Sequence, residues 1–83
     1  MVVQERYSPR LMAANSTLTL NGPSLAGFIC TVSGTLAVDD HLGNDIVVAF
    51  PVTAGVFHPL PIFVGQNGGV VVLSGGAAGT LLV

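Results

Sequence analysis

The chain has 83 residues, 51% of them hydrophobic and only 7% charged, with a net charge of −2. That leaves room for a single domain with a thin core and excludes the basic footprint needed to bind nucleic-acid phosphates. An ordinary globular domain carries roughly 25% charged residues, so the apolar surplus has to be covered by lipid, by an amyloid-like stack or by other protein subunits.

Residues 1–15, "MVVQERYSPRLMAAN", hold Glu5, Arg6 and Arg10, together with the only tyrosine, Tyr7, and Pro9 interrupts any helical pattern. The segment reads as an extended N-terminal arm rather than part of a core. Glu5, Arg6, Tyr7 and Arg10 are its candidate partner-binding residues: Tyr7 has a flat apolar body with a polar tip, and the arginines pair with acceptors. Gln4, Glu5, Arg6, Ser8, Pro9 and Arg10 stand where a secretory signal needs an apolar run, so the chain is expected to be unprocessed and made in the cytoplasm.

From Ser16 to Val83, short apolar runs alternate with Gly, Asn, Asp, Ser and Pro clusters at the spacing of an all-β domain. "STLTLN" sets Leu18 and Leu20 on one face and Thr17 and Thr19 on the other. "AGFICTV" sets Phe28, Cys30 and Val32 against Ile29 and Thr31, and "TLAV" follows the turn residues Ser33 and Gly34. After the loop "DDHLGND" come "IVVAF", "PVTAGVF", "LPIFV", the turn "GQNGG", "VVVL", the turn "SGGAAG" and "TLLV". Six or seven strands are predicted, in a small antiparallel β-sandwich or jelly-roll-like barrel spanning residues 16–83. Ile46, Val48 and Phe50 fall on one face of their strand, Val47 and Ala49 on the other. A strand apolar on both faces is expected to be covered on both. Pro59 and Pro61 remove two donors from the same side of "HPLPIFV", which marks an edge strand.

The stretch from Ile46 to Val64 is long enough to span a bilayer, but Pro51, Pro59, Pro61, Gly55 and His58 would break a helix there, so no membrane span is expected. Eleven glycines and five prolines argue against amyloid stacking. Other subunits remain, and obligate self-association is expected, as a trimer in preference to a pentamer.

No catalytic, cofactor or metal site is expected. "DDHLGND" groups Asp39, Asp40, His41 and Asp45 without the spacing of a calcium loop, and reads as a solvated turn. His41 joins a metal site only if a symmetry axis gathers several copies. His58, between Phe57 and Pro59, reads as a hydrogen-bonded strand-end residue. Neither histidine has a nucleophile and an orienting group nearby in sequence. Cys30, the single cysteine, forms no internal disulfide framework and no zinc cluster, and with no base adjacent it reads as a small buried hydrophobe. "GQNGG" and "GGAAG" precede strands rather than helices and read as hairpin turns, with Asn67 and the glycines at positive φ.

The run "SGTLAVDDHLGNDIVVAFPVTAGVFHPLPIFV", with its "TAGVFHPLPI" placement of Gly and Pro, resembles the small all-β virion proteins of tailed bacteriophages and gene transfer agents, of the capsid-decoration or head-spike-base type. The resemblance covers residues 33–83. It implies self-association on a capsid or tail surface, contributing binding area and no chemistry. Composition and resemblance together lead to the expectation of a capsid-decoration (cement) subunit on the phage head that binds the major capsid protein, with no cofactor. A head-spike, fibre-base or tail adaptor is the alternative. A small cellular ligand-binding β-domain is a further one, disfavoured by the lack of tryptophan.

Overall fold

The computed structural model describes residues 9–20 and 24–83. Eight strands follow in order: β1 (Pro9–Met12), β2 (Thr17–Thr19), β3 (Ser24–Val32), β4 (Gly34–Asp40), β5 (Asp45–Val52), β6 (Phe57–Phe63), β7 (Gly69–Ser74) and β8 (Ala78–Leu82). They form two four-stranded antiparallel sheets, β1-β8-β3-β6 and β2-β7-β4-β5, which pack face to face as a sandwich. Only β4 and β5 are consecutive within one sheet; every other connection crosses from one sheet to the other.

The alternating runs place the core. Phe28, Leu36, Val38, Val71, Leu73 and Leu81 are fully buried between the sheets, with Met12, Leu20, Leu25, Cys30, Val52, Leu60, Val64 and Ala77 around them. No polar or charged side chain is buried among the described residues. Cys30 is a buried free thiol donating to the Val32 carbonyl at 3.1 Å, as a small core residue.

The structure differs from the expected strand pattern in four places. Pro9–Met12 is not part of an arm lying off the core: it pairs with β8, and Met12 is buried. Its proline sits at the first position of an edge strand, where a missing donor costs least. Residues 1–8, with Glu5, Arg6 and Tyr7, lie outside the described residues. "PVTAGVF" is not one strand: Pro51 and Val52 finish β5, a turn closed by Val56 N donating to Thr53 O (3.2 Å) follows with Gly55 at φ 82°, and Phe57 opens β6. Val32 is half-exposed rather than grouped with Phe28 and Cys30 in the core, because the register with β8 shifts between Cys30 and Val32.

The fourth difference is on β5. Between the pairs Leu36↔Phe50 and Val38↔Val47, β5 carries one extra residue, and Ala49 there has φ 48°. Such a bulge resets the alternation. Phe50 therefore joins Val47 and Val52 on the inner side, while Ile46 and Val48 are exposed; Phe50 does not share a face with them.

β6 is a sheet edge, as the two prolines imply. The turns "GQNGG" and "SGGAAG" are not hairpins within a sheet, since β6 and β7, and likewise β7 and β8, belong to different sheets. Their glycines alone take positive φ, at Gly65, Gly68, Gly75 and Gly76; Asn67 does not.

One close approach depends on glycine. A Cβ on Gly79 would run into the Ile29 carbonyl oxygen and, at 2.7 Å, the Phe28 ring. Because backbone cannot give way cheaply, Gly79→Ala is expected to cost about 1–3 kcal/mol, as other overpacked sites do. A thermal melt should fall by about 4–8 °C per kcal/mol for a domain of this size, and an unchanged melting temperature would contradict the β3–β8 packing described here.

Candidate interaction surface

The ladder register lines up side chains across the outer face of the sheet β1-β8-β3-β6. One row runs Leu11↔Thr80, Thr80↔Ile29, Ile29↔Phe57; the next runs Pro9↔Leu82, Leu82↔Gly27, Gly27↔Pro59. On β6, Phe57, Pro59, Pro61 and Phe63 alternate with the inward-facing Leu60 and Ile62, so the edge strand presents only apolar groups outward. Leu11 is 86% exposed, Ile29 42%, Phe57 50% and Phe63 66%. The Phe57 ring lies over Gly27, where an added Cβ would come within 2.6 Å of it. No residue in these rows is charged, and Thr80 in the centre is the one polar side chain. Exposed apolar surface of this continuity marks an interaction site more often than scattered exposed leucines do.

The outer face of the other sheet is different in kind. Its rows run Thr19↔Val70, Val70↔Asp39, Asp39↔Asp45, then Thr17↔Val72, Val72↔Ala37, then Ser74↔Thr35, Thr35↔Pro51. Threonines, a serine and a directly opposed pair of carboxylates make it a face suited to water.

"DDHLGND" is the β4–β5 hairpin. Asp40 Oδ1 accepts from Leu42 N (2.9 Å) and Asn44 N (2.8 Å), Asp40 Oδ2 accepts from Asn44 Nδ2 (3.1 Å), and Gly43 turns the chain at φ 86°. The Asn44 backbone and side-chain bonds, followed by Leu42, hold Asp40 below the usual carboxylate range. Asp39 is held above that range, first by a side-chain hydrogen bond with Asp45, which forms only while one of the two carries a proton, then by partial desolvation and the like charges of Asp45 and Asp40. Among the described residues, the side-chain hydrogen-bond partner of His41 is the Asn67 amide, at 3.4 Å. No group of three or more His, Cys, Asp or Glu among the described residues is placed to hold a metal ion.

His58 faces inward at the end of the sandwich. Its Nε2 accepts from Thr53 N at 3.0 Å, and its ring meets Phe50 edge-on at 5.7 Å between centroids. Beside it, Ala54 N donates to Ser33 Oγ at 2.8 Å, and Gly55 N donates to Cys30 O at 2.9 Å. These bonds tie the β5–β6 turn to β3, so His58 is a strand-end fastener.

Of the four partner-binding candidates from the sequence, only Arg10 is described. It lies on β1 opposite Leu81, away from the outer row that carries Leu11. The outer face itself was not among those candidates, because its members come from four strands and meet only through long-range register. No protein-family model, curated protein or solved structure matches the chain, and no helix among the described residues is long and apolar enough to cross a membrane.

The two aspartates give opposite pH responses. Asp39, raised when folded, contributes stability below its unfolded pKa that is lost as pH rises through the folded value; Asp40, lowered, contributes stability above its unfolded pKa that is lost as pH falls through the folded value. Asp45→Asn should therefore raise the melting temperature at pH 7, and the gain should vanish below the carboxylate range, where Asp39 is protonated anyway. Asp40→Ala should lower it at pH 7 and have a smaller effect in acid. Thermal melts at pH 7 and pH 2.5 check both, and equal effects of Asp45→Asn at the two pH values would refute the carboxylate coupling.

Proposed function

We propose that the chain is a structural virion protein, a capsid-decoration (cement) subunit of a tailed phage or gene transfer agent that self-associates and binds the major capsid protein on the head surface. The observation that carries the self-association is the uncharged outer face of the β1-β8-β3-β6 sheet. Two further points support the virion reading. The strand order β1-β8-β3-β6 over β2-β7-β4-β5 is that of an eight-stranded jelly roll, an architecture used by viral capsid domains, lectins and cupins; this is an analogy of fold, and fold does not carry function with it. The likeness of residues 33–83 to small virion proteins adds the particle as location.

The mechanism is mass action. A subunit that binds only the assembled lattice stabilises that lattice by its binding free energy, with no reaction and no cofactor. A head-spike base or tail adaptor is the second reading and uses the same surface in fewer copies. A ligand-binding β-domain is less well supported, because the described core is filled by Phe28, Leu36, Leu73, Leu81 and their apolar neighbours and offers a ligand no buried polar group.

Sedimentation velocity at micromolar concentration should show a self-associated species; a folded monomer at every concentration would overturn the self-association. Counting copies of the chain per particle separates decoration from an adaptor. Residues 1–8 provide a cleaner truncation than a longer one, since removal of Pro9–Met12 would also remove β1 and the buried Met12. If Glu5, Arg6 and Tyr7 anchor the subunit, the chain lacking residues 1–8 should fold and self-associate but lose occupancy on the particle, and unchanged occupancy would remove them as the anchor.

A further inference from the structure

We infer that the outer face of the β1-β8-β3-β6 sheet is the seat of a second copy of this chain, stacked face to face about a two-fold axis. The inference rests on the self-association proposed above and assigns it a surface and a symmetry.

Charge decides between the arrangements. A two-fold interface asks one patch to match itself, and the rows Leu11, Thr80, Ile29, Phe57 and Pro9, Leu82, Gly27, Pro59 do so without setting like charges against each other. The three aspartates of the described chain, Asp39, Asp40 and Asp45, all lie on the β4–β5 hairpin of the other sheet, so a stack on the uncharged face turns them outward to water. A head-to-tail arrangement, with the apolar face of one copy on the second sheet of the next, would bury the opposed Asp39 and Asp45 carboxylates against apolar groups, which is costly without a paired cation. Edge-to-edge pairing is hindered as well. β6 carries Pro59 and Pro61, β5 is bulged at Ala49, and β2 is three residues long; prolines, bulges and short strands are the features that block added strands.

The area sets the strength. Strands of 4, 5, 9 and 7 residues, about 4.8 Å apart and rising 3.3 Å per residue, offer a face of roughly 400 Å². That is about half of the ~800 Å² per partner of a standard stable complex, in the range of weak, transient contacts. The pair is therefore reversible in dilute solution, a concentration-dependent dimer rather than the obligate trimer that the sequence predicts.

The test is sedimentation velocity over a range of concentrations on the wild-type chain, Ile29→Glu, Thr80→Lys and Val48→Glu, each checked for a cooperative thermal melt. Val48 is exposed on β5 of the other sheet and serves as the control. The expected result is a wild-type dimer, weakened at least tenfold in Kd by Ile29→Glu and by Thr80→Lys and little changed by Val48→Glu. Should Ile29→Glu fail to melt cooperatively, Thr80→Lys carries the test alone. Wild-type association that all three variants leave intact would overturn this surface while self-association stands. A trimer or larger closed ring would overturn the two-fold stack. A monomeric wild type would overturn self-association itself.

Discussion

Each strand in a two-layer sandwich has an inner and an outer face, and one short chain supplies filling only for the space between its sheets. Here the inner space is closed by Phe28, Leu36, Val38, Val71, Leu73 and Leu81, all essentially inaccessible to solvent. With only six formally charged residues in the whole sequence, the chain cannot make both outer faces polar. The aspartates and half of the threonines, Thr17, Thr19 and Thr35, are spent on the β2-β7-β4-β5 side, and the β1-β8-β3-β6 side is left with mostly apolar groups around Thr31 and Thr80. The contrast between the two outer faces, one with threonines, a serine and opposed carboxylates and one without charge, follows from that scarcity.

The irregular positions serve the same division. Ala49 at φ 48° shifts the alternation of β5 so that Phe50 turns inward to meet His58, and Val47 and Val52 follow it toward the core. Without the extra residue, Phe50 would project with Val48 toward solvent. Asn15, the other non-glycine residue at positive φ, accepts from Gly76 N at 2.8 Å and donates its own N–H to Ala77 O at 3.2 Å. That pair of bonds clasps the β1–β2 turn to the β7–β8 turn at one end of the sandwich, as the His58 and Ser33 bonds clasp the β5–β6 turn to β3.

Local signals in the sequence were sound guides. The alternation in "STLTL", the two prolines of β6 and the turn chemistry of Gly43 and Gly75 each act within a few residues, and each is where its pattern implies. What escaped notice acts at longer range. β1 hides behind Pro9 and Arg10 because four residues are too few to show a period, and its strand character is conferred by β8. The bulge at Ala49 has no residue preference behind it, since alanine does not favour positive φ. Whether a Gly-rich turn folds a strand back on its neighbour or carries it to the other sheet is decided by the register of strands far away, so "GQNGG" and "SGGAAG" read alike as hairpins. The outer row Leu11, Thr80, Ile29 and Phe57 was illegible for the same reason, its members being scattered from residue 11 to residue 80.

The pairing of β8 between β1 and β3 also bears on how the chain reaches its native state. A nascent polypeptide emerging from the ribosome has β1 and β3 long before Ala78–Leu82 exists, so the β1-β8-β3-β6 sheet stays split until that strand is synthesised. Closing loops of such sequence separation delays folding, and folds dominated by nonlocal pairing are slow to form and exposed to aggregation meanwhile. In that interval β3 has β6 as its partner but β1, with Leu11, has none, and prolines at 9, 59 and 61 remove backbone donors that a stray neighbour would capture. The prolines that blunt the mature edges are therefore in place before the sheet is complete.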